Sequence, residues 1–140
     1  VPQTPLPASA DWRDWPMTPG NWSYTQGAQG PVAAFGQPGV APDFAIRCNR
    51  ANRRITLSRA GDAGAASQMK VRTSFGEAIW PAYTSAGAPP YASAEIDAMD
   101  PALDRMSFSR GRFIVEVSGR PYLAMPPWAE FARVVEDCRG

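Results

Sequence analysis

Five arginines crowd a short stretch of this chain: Arg47, Arg50, Arg53, Arg54 and Arg59. Guanidinium forks match carboxylate and phosphate geometry, so Arg50, Arg53 and Arg54 are candidates for holding an anion. The plainer reading is a solvated hairpin tip, since only Lys70 among the fourteen basic residues is lysine and arginine is simply the cation this sequence uses. Ser109-Arg110-Gly111-Arg112 is a second candidate. Its glycine allows close backbone approach, and Arg110 and Arg112 are placed to grip an acidic group on a partner. The alternative there is a loop whose arginines pair with nearby carboxylates. Trp12 and Trp15, in a proline-rich arm, are candidates for an exposed stacking surface that meets a partner; the other tryptophans, at 22, 80 and 128, read as core.

Carboxylates gather at Glu95, Asp97, Asp100 and Asp104. An EF-hand pattern is absent and Asp100 is better used as a helix cap, so no metal ligands are assigned. Two of these acids could form a hydrolytic pair, which depends on a separation that sequence does not give. Lys70 sits in an alternating segment beside Arg72 and reads as a solvent-facing cation rather than a base. The chain has no histidine, which removes Ser-His-Asp and Cys-His catalysis, histidine-bound zinc and imidazole acid–base chemistry. Neither a nucleophile elbow nor a phosphate-binding glycine loop occurs, and no cofactor is expected.

Cys48 and Cys138 are the two cysteines. Their spacing suits neither a zinc site nor a redox motif, and a structural disulfide in an oxidising compartment is the simplest reading. Two buried thiols are the alternative. Closing so long a loop is worth about 4–5 kcal/mol in the chain-entropy model.

The elements that carry these residues follow from the punctuation. Fifteen prolines and twelve glycines in 140 residues rule out a largely helical fold but suit short strands joined by turns. Residues 1–20 form a proline-rich arm, its first ten residues reading as a polyproline tether; residues 21–140 form one β-rich domain. Alternation marks strands at Asn21–Gln26, Val32–Phe35, Asp43–Cys48 with Ile55–Leu57, Met69–Thr73, Ala78–Tyr83 and Tyr91–Ile96. The stretches 61–67 and 85–90 read as loops. Asp100-Pro101 is a helix start, with Leu103, Met106 and Phe108 facing inward. Phe113, Val115 and Val117 alternate with Ile114 and Glu116, Ser118-Gly119 turns, and Tyr122–Met125 returns. Trp128, Phe131, Ala132, Val135 and Cys138 then fall on one helical face, a lid over the core.

The expected fold is therefore mainly β: an antiparallel β-sandwich or curved sheet of about seven to nine strands, with a short helix near 100–107 and an amphipathic C-terminal helix near 127–138. A net charge of +1 provides no field for nucleic acid, and no apolar run is long enough for a transmembrane segment.

The order D-W-R-D-x-P-x-T-P-G-x-W-x-Y, then R-C-N-R-A-x-R-R-I-x-L-S-R-A-G, then D-P-x-L-D-R-M-x-F-S-R-G-R-F-x-V-E-V and a terminal V-V-E-D-C-R resembles a group of exported alphaproteobacterial proteins, the sphingomonad type, over nearly the whole chain. That group has no assigned activity. In layout the chain is also similar to envelope β-sandwich proteins of the invasion-associated locus B and VasI types. The resemblance implies an exported or periplasmic protein. The missing initiator Met fits a mature form whose export signal, and with it the option of a lipid anchor, has been removed. The leading expectation is non-enzymatic binding of an envelope protein or cell-wall component. A carboxylate-dependent hydrolase and a purely structural tethered module are the alternatives.

Overall fold

In the computed structural model, residues 11–64, 67–85 and 89–140 are described. The expected polyproline tether lies outside them, as do parts of the 61–67 and 85–90 loops. The described residues form ten strands and two helices, one strand more than the range expected. Six strands make the first sheet: β1 (Asn21–Gln26), β2 (Pro31–Gly36), β3 (Phe44–Asn49), β4 (Arg54–Ala60), β8 (Tyr91–Asp97) and the two-residue β7 (Tyr83–Thr84). They lie in the order β1-β2-β3-β4-β8-β7. The second sheet is β10 (Leu123–Met125), β9 (Phe113–Val117), β5 (Gln68–Thr73) and β6 (Gly76–Pro81), in that order. Every strand pairing is antiparallel and neither sheet closes into a barrel.

The period-two pattern sets which face is dry. Phe44, Ile46 and Cys48 on β3 oppose Arg59, Leu57 and Ile55 on β4, and Ala92, Ala94 and Ile96 continue that face on β8. Met69 and Val71 supply the facing layer, opposite Val117 and Val115 of β9. All of these apolar residues belong to one core. Its centre is aromatic: Trp22 lies 5.4 Å from Phe35, 5.7 Å from Phe131 and 6.5 Å from Phe113, centroid to centroid. Edge-on and tilted rings at such distances add to the area they bury.

Both helices close this core. Helix α1 (Pro101–Ser107) starts as expected, Asp100 accepting the Ala102 N–H at 2.9 Å with proline in the first turn. Helix α2 (Ala129–Arg139) buries Phe131, Val134, Val135 and Cys138 and crosses β1, β2 and β3. Cys138 is bonded to Cys48, with a Cα separation of 5.7 Å. Arg139 forks onto Asp104 at 2.7 and 3.1 Å and joins the two helices.

Three expectations about facing fail, each for a local reason. Trp128 is 43% exposed. It is the N-cap, with extended backbone, so the helical face that begins at Phe131 does not include it. Phe108 is 69% exposed because α1 has already ended; it is the C-cap, and Met106 takes the last inward place. Ile114, expected on the wet side of its strand, is buried, because the arm covers it.

Residues 11–20 lie along the outer side of the second sheet. Asp11 caps a 3-10 turn at Trp12–Asp14 by accepting the Arg13 N–H at 3.0 Å. Thr18 exchanges two 2.9 Å hydrogen bonds with Ala124, backbone N–H to carbonyl and N–H to hydroxyl, so the arm pairs with the β10 edge. Trp12 then packs with Ile114, Tyr122 and Ala124 in a small second core.

Candidate functional site

The residues singled out in the sequence do not converge. Trp12 is only 9% exposed, and as a buried anchor it offers no stacking surface. Trp15 is half-buried, 4.7 Å from the Tyr122 ring, with the Arg72 guanidinium 5.8 Å from its own ring. Arg112 donates to the Trp15 carbonyl and so fastens the arm instead of gripping a partner. The loop around it is stitched down: Ser109 Oγ accepts from Ser74 N at 3.0 Å and donates to the Arg112 carbonyl at 2.6 Å, and the Arg110 N–H reaches Ser74 Oγ at 2.8 Å. The positive φ of Gly111 permits that turn. The Arg110 side chain is exposed.

The arginine cluster also disperses. Arg53 donates to the Arg139 carbonyl at 2.9 Å, tying the hairpin tip to the end of α2. Arg50 is exposed at the tip. Arg59 points to the opposite side of its strand from Ser58, is buried, and donates to the Ala60 and Pro121 carbonyls, bridging the two sheets. Burial raises the nearby Asp43 carboxyl above its usual range, with Arg59 opposing the shift. Arg47 and Arg54 are left on the outer face of the first sheet.

On that face lies a groove of about 450 Å³. Its floor is set by register: Arg47 stands opposite Thr56, and Thr56 opposite Glu95; Ser58 stands opposite Ser93, and Ser93 opposite Tyr83. Small hydroxyl side chains at the middle positions keep the floor low while the longer residues form the walls. Ser58 and Ser93 satisfy one another at 3.0 Å. Tyr91 reaches across β4 and donates its phenol to the Pro42 carbonyl at 2.8 Å. Burial raises the Tyr91 pKa, while the Arg47 charge lowers it and Asp43 raises it further. Asn49 and Asn52 also line the groove while their side-chain carbonyls cap the hairpin turn, accepting from Ala51 N and Arg54 N at 3.0 Å each.

Two charges in the groove neutralise each other. Arg54 Nε donates to Glu95 Oε1 at 3.2 Å. Arg47 has no ion pair or hydrogen bond to a described residue, so its guanidinium is open to solvent and to whatever enters. Glu95 is the one carboxylate among the described lining residues. Asp97 and Asp100 are spent on turns, accepting Met99 N and Ala102 N, and Asp104 on Arg139; Lys70 pairs with Glu77 at 3.5 Å. No two of the acids considered for hydrolysis converge in the groove. Among the described residues no group of three or more His, Cys, Asp or Glu is arranged to hold a metal ion, and no helix is long and apolar enough to cross a membrane.

The groove was missed in the sequence because its floor comes from strands 35 residues apart, as the Ser58–Ser93 contact shows. The available signal was alternation of polar residues against core residues in both Thr56–Ser58 and Ser93–Glu95, with tyrosines at 83 and 91. A second cleft, about 240 Å³ beside Trp22, Gly36 and Val40, has no charged side chain in its described lining. Neither a protein-family model, nor a curated protein, nor a solved structure matches the chain.

Proposed function

We propose that this protein is an exported binding module of the bacterial envelope, of the sphingomonad type its motifs resemble, and that the groove on the outer face of its six-stranded sheet takes a cell-wall component. The observation that carries this reading is the groove itself: hydroxyl, amide, phenol and guanidinium groups on rigid strands, with Arg47 uncommitted. Convergent polar groups in a cleft of this size are what a small-ligand site requires. The Cys48–Cys138 bond supports an oxidising compartment. A binding role is favoured over catalysis because acid–base chemistry by carboxylates needs a pair, and the single lining carboxylate is already held by Arg54.

Retention on purified cell-wall sacculi tests the reading. Thr56→Trp raises the groove floor at a half-buried, outward strand position and leaves the core untouched. The expected result is at least tenfold weaker retention of Thr56→Trp, with an unchanged circular dichroism spectrum and with Arg110→Ala behaving as wild type. Equal retention of the groove-filled and wild-type proteins would sink it.

A further inference from the structure

We infer that the ligand seated in this groove is a saccharide carrying a carboxylate, and that the Arg47 guanidinium is the carboxylate seat. The inference rests on the binding reading above and narrows it to a ligand class.

Arg47 and Glu95 stand two strands apart with Thr56 between them, which separates their Cα atoms by about 10 Å. Glu95 is engaged by Arg54 and Arg47 is left with an unused fork. A planar guanidinium in a walled groove binds a planar carboxylate through two parallel N–H donors. The charge balance points to a monoanion. One open arginine faces one neutralised Arg54–Glu95 pair, so a phosphate dianion would meet a single cation with the Glu95 charge close by.

The remaining lining separates sugar from peptide. β3 and β4 beneath the groove each have a neighbour on both sides, and β8 is paired with β7 at Ala92 and Ser93, which leaves only the short Ala94–Asp97 edge of β8 without an outer strand and little ladder for an added peptide. The Thr56 hydroxyl and the amide N–H groups of Asn49 and Asn52 line the groove, the buried Ser58 and Ser93 being spent on each other, and Tyr83 and Tyr91 put aromatic rings at the walls. Ring faces beside a hydrogen-bonding floor suit the flat apolar face and equatorial hydroxyls of a pyranose.

Calorimetric titration with three tetrasaccharides tests this. One alternates N-acetylglucosamine with N-acetylmuramic acid bearing free lactyl carboxylates, one is an oligoglucuronate, and one is uncharged chitotetraose. At least one carboxylated tetrasaccharide is expected to bind tenfold or more tighter than chitotetraose, and Arg47→Ala should erase that preference while Arg110→Ala keeps it. Preference for the muramic acid oligomer assigns the ligand to cell-wall glycan; preference for the glucuronate assigns it to an acidic polysaccharide. Equal binding of charged and neutral sugars, binding of none, or a preference that survives Arg47→Ala overturns the inference. If no tetrasaccharide binds while retention on sacculi still depends on Thr56, the saccharide assignment falls and the binding reading stands. If retention is also insensitive to Thr56→Trp, both fall.

Discussion

The indole N–H of Trp22 donates to the carbonyl of Pro126 at 2.7 Å, joining the first strand to the proline pair that precedes the last helix. The same ring sits among Phe35, Phe44, Phe113 and Phe131. Trp22 thus has two separable roles, as a space-filling ring and as a buried donor. Trp22→Phe keeps most of the ring and removes the indole donor, leaving the Pro126 carbonyl with the Trp128 N–H at 3.0 Å, for an expected loss of about 0.5–1.5 kcal/mol. Trp22→Ala also opens a cavity and should cost about 3–5 kcal/mol. Urea denaturation of both variants separates the terms, and a Trp22→Phe protein as stable as wild type would show that the hydrogen bond contributes nothing.

The Cys48–Cys138 bond spans a sequence separation of 90. In the chain-entropy model such a loop is worth about 4–5 kcal/mol, and removing a native disulfide typically costs 2–5. A Cys48→Ala/Cys138→Ala double variant should lose stability in that range while keeping its far-ultraviolet dichroism in the cold. Native protein treated with iodoacetamide without reductant should gain no mass. Uptake of two alkyl groups would contradict the bond.

The arm covers Ile114 through Trp12, and Arg112 and Tyr122 tie it down at Trp15 and Pro16. Trp12→Ala should destabilise by about 2–4 kcal/mol. It should also raise hydrogen exchange at Ile114 and Ala124 before it affects β3 or β4. Exchange that rises uniformly across the molecule would show that the arm is not a separate layer.

Tyr122 predicts an alkaline signature. Burial raises its phenol above the usual 10.0, with Arg112 opposing the shift, and the neutral hydroxyl donates to the Pro16 carbonyl at 2.9 Å. A group whose folded pKa is raised contributes stability that is fully present below its unfolded value and is lost as pH rises through the folded one. Wild type should therefore lose stability above pH 10 more steeply than Tyr122→Phe, which cannot ionise there. Parallel stability curves for the two proteins between pH 9 and 12 would exclude the effect.

What the chain disclosed and what it withheld have physical causes. Phe44, Ile46 and Cys48 against Ala45 and Arg47 is a strong period-two signal because one face is dry, and it placed the strand, its inward cysteine and the partner helix correctly. Asp100-Pro101 marked a helix start through a cap that depends only on neighbours in sequence. Facing at element ends was harder. Trp128 has helical spacing to Phe131, yet an N-cap has not entered the helix, and spacing alone does not locate the cap. Ile114 looked wet because its cover, the Trp12 turn, lies about a hundred residues earlier. The groove depended on β4 meeting β8 and on Tyr83 joining through a two-residue strand, pairings that no local pattern encodes.

Cys48 sits in the third strand and Cys138 two residues before the end, so the covalent ring encloses every element from β3's far end to α2. Under tension between the two ends, that ring cannot lengthen. Only the segment ahead of Cys48 can be drawn out, to about 160 Å at full extension. Force would first strip the arm from β10, then peel β1 and β2 from α2 and β3, and stop at the third strand. The strands β4 and β8 that floor the groove lie inside the ring, shielded from the load, whereas Arg47, just ahead of Cys48, lies outside it, so a pulled molecule would keep the groove floor and give up its guanidinium. Single-molecule stretching should give one short contour-length step while oxidised, and a second, longer one only after reduction.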